Sequence, residues 1–257
     1  MRRVRVIPVL LLQDGGLVKS VKFKNYTYVG DPINAVKIFN EKEVDEIALL
    51  DISATTKGQV PDIEAISDIA SEAFMPMSYG GGITTLDQIK AILFEGIEKV
   101  ILNNSALHRP ELISEGARLF GSQAIVASID VKKTIWGKYK VFGEGGSKNT
   151  GLDPIEFARK IQNAGAGEIL LNNIDRDGTY KGYDLELIGQ IANSVEIPVV
   201  ACGGASQVED FERAVNISNA SAVSAGSLFV FHGPHKAVLI NYPNQETLKE
   251  KLFSKIS

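Results

Sequence analysis

The sequence predicts an α/β fold in which eight strand and helix pairs close into one barrel, and three observations carry the prediction. Short β-branched apolar runs alternate with segments of helical period along the 257 residues. The runs number eight, and the length matches the roughly 250 residues of a barrel of this kind. Finally, residues 46–105 recur 122 positions later without a gap. Glu46, Ile47, Leu49 and Ile52 return as Glu168, Ile169, Leu171 and Ile174; Asp62, Glu64, Ile66, Ile69 and Ala70 return as Asp184, Glu186, Ile188, Ile191 and Ala192. The echo continues through Pro76/Pro198, Gly81/Gly203, Gly82/Gly204 and Ser105/Ser227. Two copies of this length do not make a solenoid. They make a single (β/α)8 TIM barrel with two-fold half-barrel pseudosymmetry, expected to span residues 1–257 as one domain. An open doubly wound sheet is the competitor, and the half-repeat favours closure.

Strands are expected at 4–12, 46–52, 75–79, 99–103, 124–130, 168–174, 197–202 and 221–225, where β-branched and apolar residues cluster. Helices are expected at 31–43, 61–73, 85–95, 109–119, 153–165, 184–195, 207–215 and 244–254. Asp31-Pro32 and Asp153-Pro154 each place Pro at a first helical position, and Thr85 precedes an amphipathic stretch. Strict alternation implies parallel strands joined by right-handed crossovers. The segments that exceed a tight connection, 13–30, 53–60, 131–152 and 175–183, all follow a strand. That is the end where barrels of this class bind substrate; tolerated insertion is the plainer explanation, and the one-sided placement weighs against it.

Charge and composition narrow the function. A net charge of −4 argues against a broad nucleic-acid or membrane surface but leaves room for a local anion site. The one cysteine, Cys202, makes no internal disulfide, and no apolar run approaches the roughly 18 residues of a membrane span. Met1-Arg2-Arg3 leads into a strand-like run without a cleavage pattern, so a cytoplasmic location is expected, with no nucleic-acid or membrane partner. The three histidines form no clustered ligand set, so neither metal nor cofactor is expected.

Each half carries a glycine turn beside a small polar turn: Gly80-Gly81-Gly82 with Asn103-Asn104-Ser105, and Gly203-Gly204 with Gly226-Ser227. Glycine lets backbone N–H groups approach an oxyanion, and a short helix after the turn adds its dipole. Such a pair serves tight turns as readily as anions. Two in symmetric positions fit a ligand with a phosphate at each end. The run from Asn172 to Thr179 crowds polar groups after the sixth strand, beyond what an Asp177-Gly178 turn needs, and Asp51 lies at the corresponding end of the second strand.

The residues then match a family. Arg5-Val6-Ile7, Asp14-Gly15, Val18-Lys19, Val29-Gly30-Asp31-Pro32, Leu50-Asp51-Ile52, Gly80-Gly81-Gly82-Ile83, Gly121-Ser122-Gln123-Ala124, Gly165–Leu171 and Ile174–Gly178 resemble the cyclase subunit of imidazole glycerol phosphate synthase over nearly the whole chain. The resemblance implies a lyase-type barrel in histidine biosynthesis. A glutaminase docks on its lower face as a heterodimer partner, and ammonia passes through the barrel to a bisphosphorylated ribulosyl aminoimidazole carboxamide nucleotide. The products are imidazole glycerol phosphate and an aminoimidazole carboxamide ribonucleotide. It also implies that Gly82 and Asn104 help hold one phosphate, that Asp177, Gly178, Gly204, Gly226 and Ser227 hold the other, and that Lys19 on a mobile first loop closes over the substrate. Asp51 and Asn172 face the same basin.

The family uses two aspartates as general acid and base, at the ends of the first and fifth strands. Asp130 matches the second, but the first position is Leu11, and leucine carries no proton. Losing a positioned acid or base costs about 10²–10⁴-fold. Asp14, the nearest carboxylate, matches a separate family position. Gly16, Asn172 and Cys202 also depart from the pattern, and Cys202 reads as a small buried thiol before it reads as a nucleophile. Arg5, Glu46, Lys99 and Glu168, by contrast, match the family's salt-bridged ammonia gate at the bottom of the barrel; a plain stability layer is the alternative.

The expected function is thus a synthase-type subunit of a glutamine amidotransferase. Paralogues in surface-polysaccharide gene sets, including lipopolysaccharide biosynthesis, lose cyclase features and are thought to feed ammonia to a separate sugar amidotransferase. A scaffold that only activates the glutaminase is a third reading. An unrelated phosphosugar isomerase shares the fold and leaves the lower charges unexplained.

Overall fold

A computed structural model describes residues 3–233 and 235–256. The eight expected strands are present as β1 (Val6–Gln13), β2 (Ile47–Asp51), β3 (Met77–Gly80), β4 (Lys99–Leu102), β5 (Ile125–Lys133), β6 (Glu168–Asn173), β7 (Val199–Cys202) and β8 (Ala222–Ala225). Each pairs in parallel with the next in chain order, β8 pairs with β1, and the ring is closed. Outside it lie α1 (Pro32–Glu41), α2 (Ile63–Ser71), α3 (Leu86–Phe94), α4 (Glu111–Phe120), α5 (Pro154–Ala164), α6 (Leu185–Ala192) and α7 (Val208–Ser218). A last helix, α8 (Gln245–Leu248), runs on as a π-helical turn, Lys249–Phe253. Side-chain oxygens of Asp31, Asp62, Thr85, Asp153, Asp184 and Asn244 accept from first-turn N–H groups, which is why these helices start where they do.

Alternation along each strand sorts the core into two layers. Val6, Leu10, Ile47, Leu49, Val100, Ile125, Ile169 and Leu171 face outward against the helices, meeting Val36, Phe39, Ile66, Ile89, Ile161, Ile188 and Phe211. Ile7, Val9, Ala48, Ile101, Val126, Leu170, Val200, Cys202 and Ala222 face into the barrel.

Strand registers turn the sequence echo into geometry. Val9 pairs with Ala48 as Ser128 pairs with Leu170; Ile47 with Met77 as Ile169 with Val199; Ser78 with Lys99 as Val200 with Ala222. The same registers make Leu11 and Leu50 the counterparts of Asp130 and Asn172. They also correct the echo at its end. Lys99 corresponds to Ala222, one position beyond the 122-residue offset, because α7 has 11 residues where α3 has 9 and the connection into β8 is one residue shorter than that into β4. Asn104, not Ser105, is therefore the counterpart of Ser227. The residues preceding them agree, with Asn103 at φ −114°, ψ −79° and Gly226 at φ −107°, ψ −77°.

Two of the long segments are not loops. β1 folds back through Asp14-Gly15, both at positive φ, into antiparallel Gly16–Val21 and then Lys24–Gly30. An Asp-Gly pair at two left-handed positions is the tight turn that matches strand twist. β5 likewise outgrows the ring and pairs with Tyr139–Gly143. Short helices at Ala54–Lys57, Asn104–His108 and Ser227–Val230 follow β2, β4 and β8. Among the described residues no helix is long and apolar enough to cross a membrane.

Aromatic rings tie the chain's end to its start. Tyr183, Phe211, Phe229 and Tyr242 follow one another at 5.2–6.3 Å between ring centroids, and the buried Tyr242 hydroxyl donates to the Val6 carbonyl at 2.9 Å. Tyr242→Phe is expected to cost about 1 kcal/mol by orphaning that bond while keeping the ring, read as a shift in the urea midpoint at unchanged m-value.

Candidate functional site

At the C-terminal ends of the strands lies a cavity of about 580 Å³. Asp130 and all ten expected ligand-binding residues, Lys19, Asp51, Gly82, Asn104, Asn172, Asp177, Gly178, Gly204, Gly226 and Ser227, line it, and so does Leu11. Leu11 and Asp130, 119 positions apart in sequence, share one basin because β1 and β5 lie across the ring from each other.

Along the inward rows of the strands the basin is polar on one arc and apolar on the other. On β4, β5 and β6 it presents Asn103, Ser128, Asp130 and Asn172; their counterparts on β8, β1 and β2 are Gly226, Val9, Leu11 and Leu50. Asn103 connects the polar arc, donating to the Ser128 carbonyl at 3.0 Å and to the Asp130 carboxylate at 3.1 Å. Burial, reinforced by the charge of Asp177 and opposed by the Asn103 bond, pushes Asp130 up to about 7. A carboxyl poised there can both give and take a proton near neutrality. Beside it the Asn172 Oδ1 is buried without a hydrogen-bond partner.

On the apolar side Lys19 takes the place of side-chain polarity. It belongs to a strand of the first hairpin, not to a free loop, and is 5% exposed. Its ammonium donates to the Val9 carbonyl, and a Cβ at Gly226 would come within 2.5 Å of it. Burial lowers Lys19 to about 8 against the opposing charge of Asp177. The hairpin is held down by β6's loop: Ser20 donates to the Asp177 carboxylate at 2.9 Å, and the Lys22 N–H to the Asp177 carbonyl at 3.0 Å. The Asp177 N–H is itself spent on the Asn173 carbonyl, so this residue is anchored to β6 and clamps the hairpin through its carboxylate and its carbonyl. Burial raises its carboxyl despite Ser20 and Lys19.

The glycine turns are required by the backbone itself. Gly82 and Gly204 lie at φ +67° and +114°, and a Cβ would meet carbonyl oxygens of Gln59 at 2.6 Å and Gly182 at 2.4 Å. Asp51 turns one carboxylate oxygen to the N–H groups of Ser53 and Ala54 and to the Ser53 hydroxyl, shaping the turn above β2. Cys202 is buried and pushed up to about 12 by that burial, so it is a thiol and no nucleophile at neutral pH. Asp14 pairs with Lys57 on the surface and does not line the cavity, so it does not stand in for a carboxylate at Leu11.

At the other end of the barrel Arg5 bridges Glu46 and Glu168, and Lys99 bridges the same two carboxylates at 2.9 Å each, a closed ring of alternating charge. Burial opposes the Arg5 charge, but Glu168 and Glu46 outweigh it and hold the guanidinium above its ordinary value. Toward the same face Phe74, just before β3, and Phe94, at the end of α3, are 88% and 87% exposed, and Leu119 in the last turn of α4 is exposed as well. Asn103 and Ser20 were missing from the expected set. Asn103 stood in a polar turn of the right kind, whereas nothing in the sequence brings Ser20 to Asp177.

Residues 5–235 match the family model described as "Histidine biosynthesis protein". The chain is 53% identical over 248 residues to the "Putative imidazole glycerol phosphate synthase subunit hisF2" of Pseudomonas aeruginosa, covering 96% of this chain and 99% of that protein. It is 49% identical to the "Putative imidazole glycerol phosphate synthase subunit HisF" of Leptospira interrogans, covering 98% and 100%. It is 40% identical to the "Imidazole glycerol phosphate synthase subunit HisF" of Natranaerobius thermophilus, covering 96% and 98%.

Because the folded state holds Asp130 protonated up to about 7 and the unfolded chain ionises it near 4, ionisation opposes folding as pH rises between those values, by up to about 1.4 kcal/mol per pH unit. Asp130→Asn is therefore expected to raise the Tm relative to the parent at pH 8 and to lose that advantage below pH 4, in paired melts across the range.

Proposed function

As the chain belongs to the histidine biosynthesis protein family, we propose that it is the synthase-type subunit of a glutamine amidotransferase. It takes ammonia from a glutaminase docked on the lower face and presents it to a phosphorylated acceptor in the upper cavity. The observation that carries this reading is the alignment of the Arg5–Glu46–Lys99–Glu168 ring with the cavity through one barrel axis. Between them the inward side chains are mainly apolar, Ile7, Ala48, Ile101, Val126, Leu170, Val200 and Ala222, and the two hydroxyls among them, of Ser78 and Ser224, are spent on the Ile47 and Ala201 carbonyls. Such a lining passes neutral ammonia and rejects ammonium, because an unpaired charge there is unsolvated. The exposed Phe74, Phe94 and Leu119 supply the apolar centre that a docked subunit needs.

In the nominal reaction ammonia meets the bisphosphorylated nucleotide above Asp130, which moves protons as the adduct forms, cyclises and cleaves to imidazole glycerol phosphate and the aminoimidazole carboxamide ribonucleotide. Gly82 with Asn104 and Gly204 with Gly226, Ser227 and Gly178 take the two phosphates, Lys19 neutralises one of them, and Asp51 and Asn172 line the basin between. No metal or cofactor enters this scheme.

Leu11 favours a second reading. With Leu11 and Leu50 opposite Asp130 and Asn172, one of the two proton-transfer positions is filled by hydrocarbon. A paralogue of this kind passes ammonia onward to a separate sugar amidotransferase in surface-polysaccharide biosynthesis. Purified chain given ammonium salt and the bisphosphorylated nucleotide distinguishes the two: the first predicts formation of imidazole glycerol phosphate, the second a rate down by about 10²-fold or more relative to a two-aspartate relative. In the second case Leu11→Asp restores turnover if the remaining site is cyclase-competent. For either reading the glutaminase must hydrolyse glutamine faster with the chain than without it; equal rates sink both.

A further inference from the structure

Beyond the ring, β5 continues to Lys133 and returns as Tyr139–Gly143, so its turn stands three residues past Asp130, about 10 Å above it. The turn is rigid: the Thr134 N–H donates to the Lys138 carbonyl at 2.8 Å, the Gly137 N–H to the Thr134 carbonyl at 2.9 Å, and Gly137 takes φ +74°. At its apex Ile135 and Trp136 are 93% and 83% exposed, side by side. Lys132, Lys133, Lys138 and Lys140 flank them. Among the described residues none of the four lies within salt-bridge reach of a carboxylate; Lys132 and Lys133 sit over the rings of Phe142 and Tyr139, and Lys140 donates to the Gly151 carbonyl.

From this arrangement we infer that the β5 hairpin is a foot that seats the chain on an anionic phospholipid surface. An exposed Ile-Trp pair on a preformed turn costs little ordering when it enters the headgroup boundary, where indole is favoured. Lysines on both strands reach phosphates on either side of the inserted tip, each contributing about 1 kcal/mol near such a surface. Two apolar side chains are too few to centre a protein interface of standard size. The attachment is reversible, since one small foot has no second anchor. The net charge of −4 led to an expectation of no membrane partner; it rules out a broad basic face and does not speak to four unpaired lysines gathered on one turn. The inference is independent of what the cavity binds.

Trp136 is the chain's only tryptophan, so its emission reports the foot directly. The intact chain is titrated with vesicles of phosphatidylcholine alone and with vesicles containing phosphatidylglycerol. A blue shift and cosedimentation confined to the phosphatidylglycerol vesicles, reduced by added salt, are expected. Ile135→Ser, which keeps the reporter, weakens partitioning, and each Lys→Gln among the four weakens it about fivefold. Emission unmoved by either vesicle overturns the inference. So does an equal shift on both, a shift that soluble glycerol phosphate reproduces, or binding that none of these substitutions changes.

Discussion

Closure of eight parallel strands in fixed register is the constraint on which the rest of the molecule depends. A slip of one residue anywhere in the ring would turn every inward side chain of that strand outward. Closure couples all eight registers, so none slips alone. The inner row of each strand is thereby committed from bottom to top: at the base the charges of Arg5, Glu46, Lys99 and Glu168 on four of the strands, then a mainly aliphatic layer, then the groups of the basin. The charge ring and the cavity are not separate features that happen to coexist. They are the two ends of the same inward rows, and the aliphatic layer between them follows from the parity that creates both.

The same registers explain why the two halves have diverged where they have. Outward rows of both halves must fit helices of similar kind, so Ile47 and Ile169, or Ile66 and Ile188, stay alike. Inward rows at the top touch ligand space and carry no such obligation. There Asp130 faces Leu11 across the pseudo-two-fold, Asn172 corresponds to Leu50, Ser128 to Val9 and Asn103 to Gly226. The polarity lost is contiguous over three strands, and a contiguous loss is a change of environment. Lys19 is the partial compensation, bringing its ammonium over the gap at Gly226 from a hairpin that Asp177 clamps in place.

Much of this was legible in the sequence, for a physical reason. Strand and helix period, caps such as Asp31 and Thr85, and the charged starts of β1, β2, β4 and β6 are local signals, and each reached the structure intact. What was not legible depended on partners remote in the chain. Asp14-Gly15 is a readable hairpin signal, but it competes with the rule that barrel connections after a strand are loops. Lys19 therefore came out buried on a strand. The net extra residue between β7 and β8 is invisible in a pairing that scores identities, since Ser105 and Ser227 are both serine; only the interior parity of Lys99 and Ala222 exposes the shift. Ser20 and Asp177 are 157 positions apart, and no pattern joins them.

The unequal basin also constrains what chemistry can run in it. Asp130 lies high enough to exchange a proton at neutrality because it is buried and feels Asp177, and the orphaned Asn172 oxygen beside it waits for an N–H donor. Across from them Leu11 and Leu50 offer neither donor nor acceptor, and the Lys19 ammonium, held on the Val9 carbonyl, is the titratable group on that side. A reaction in which one group gives a proton as another takes one must there recruit its second group from Lys19, the acceptor or water. A reaction that only releases ammonia toward a partner has no such need. On the proposed reading, therefore, the uneven basin asks less of ammonia delivery than of cyclisation, which needs a second proton-transfer group where Leu11 stands.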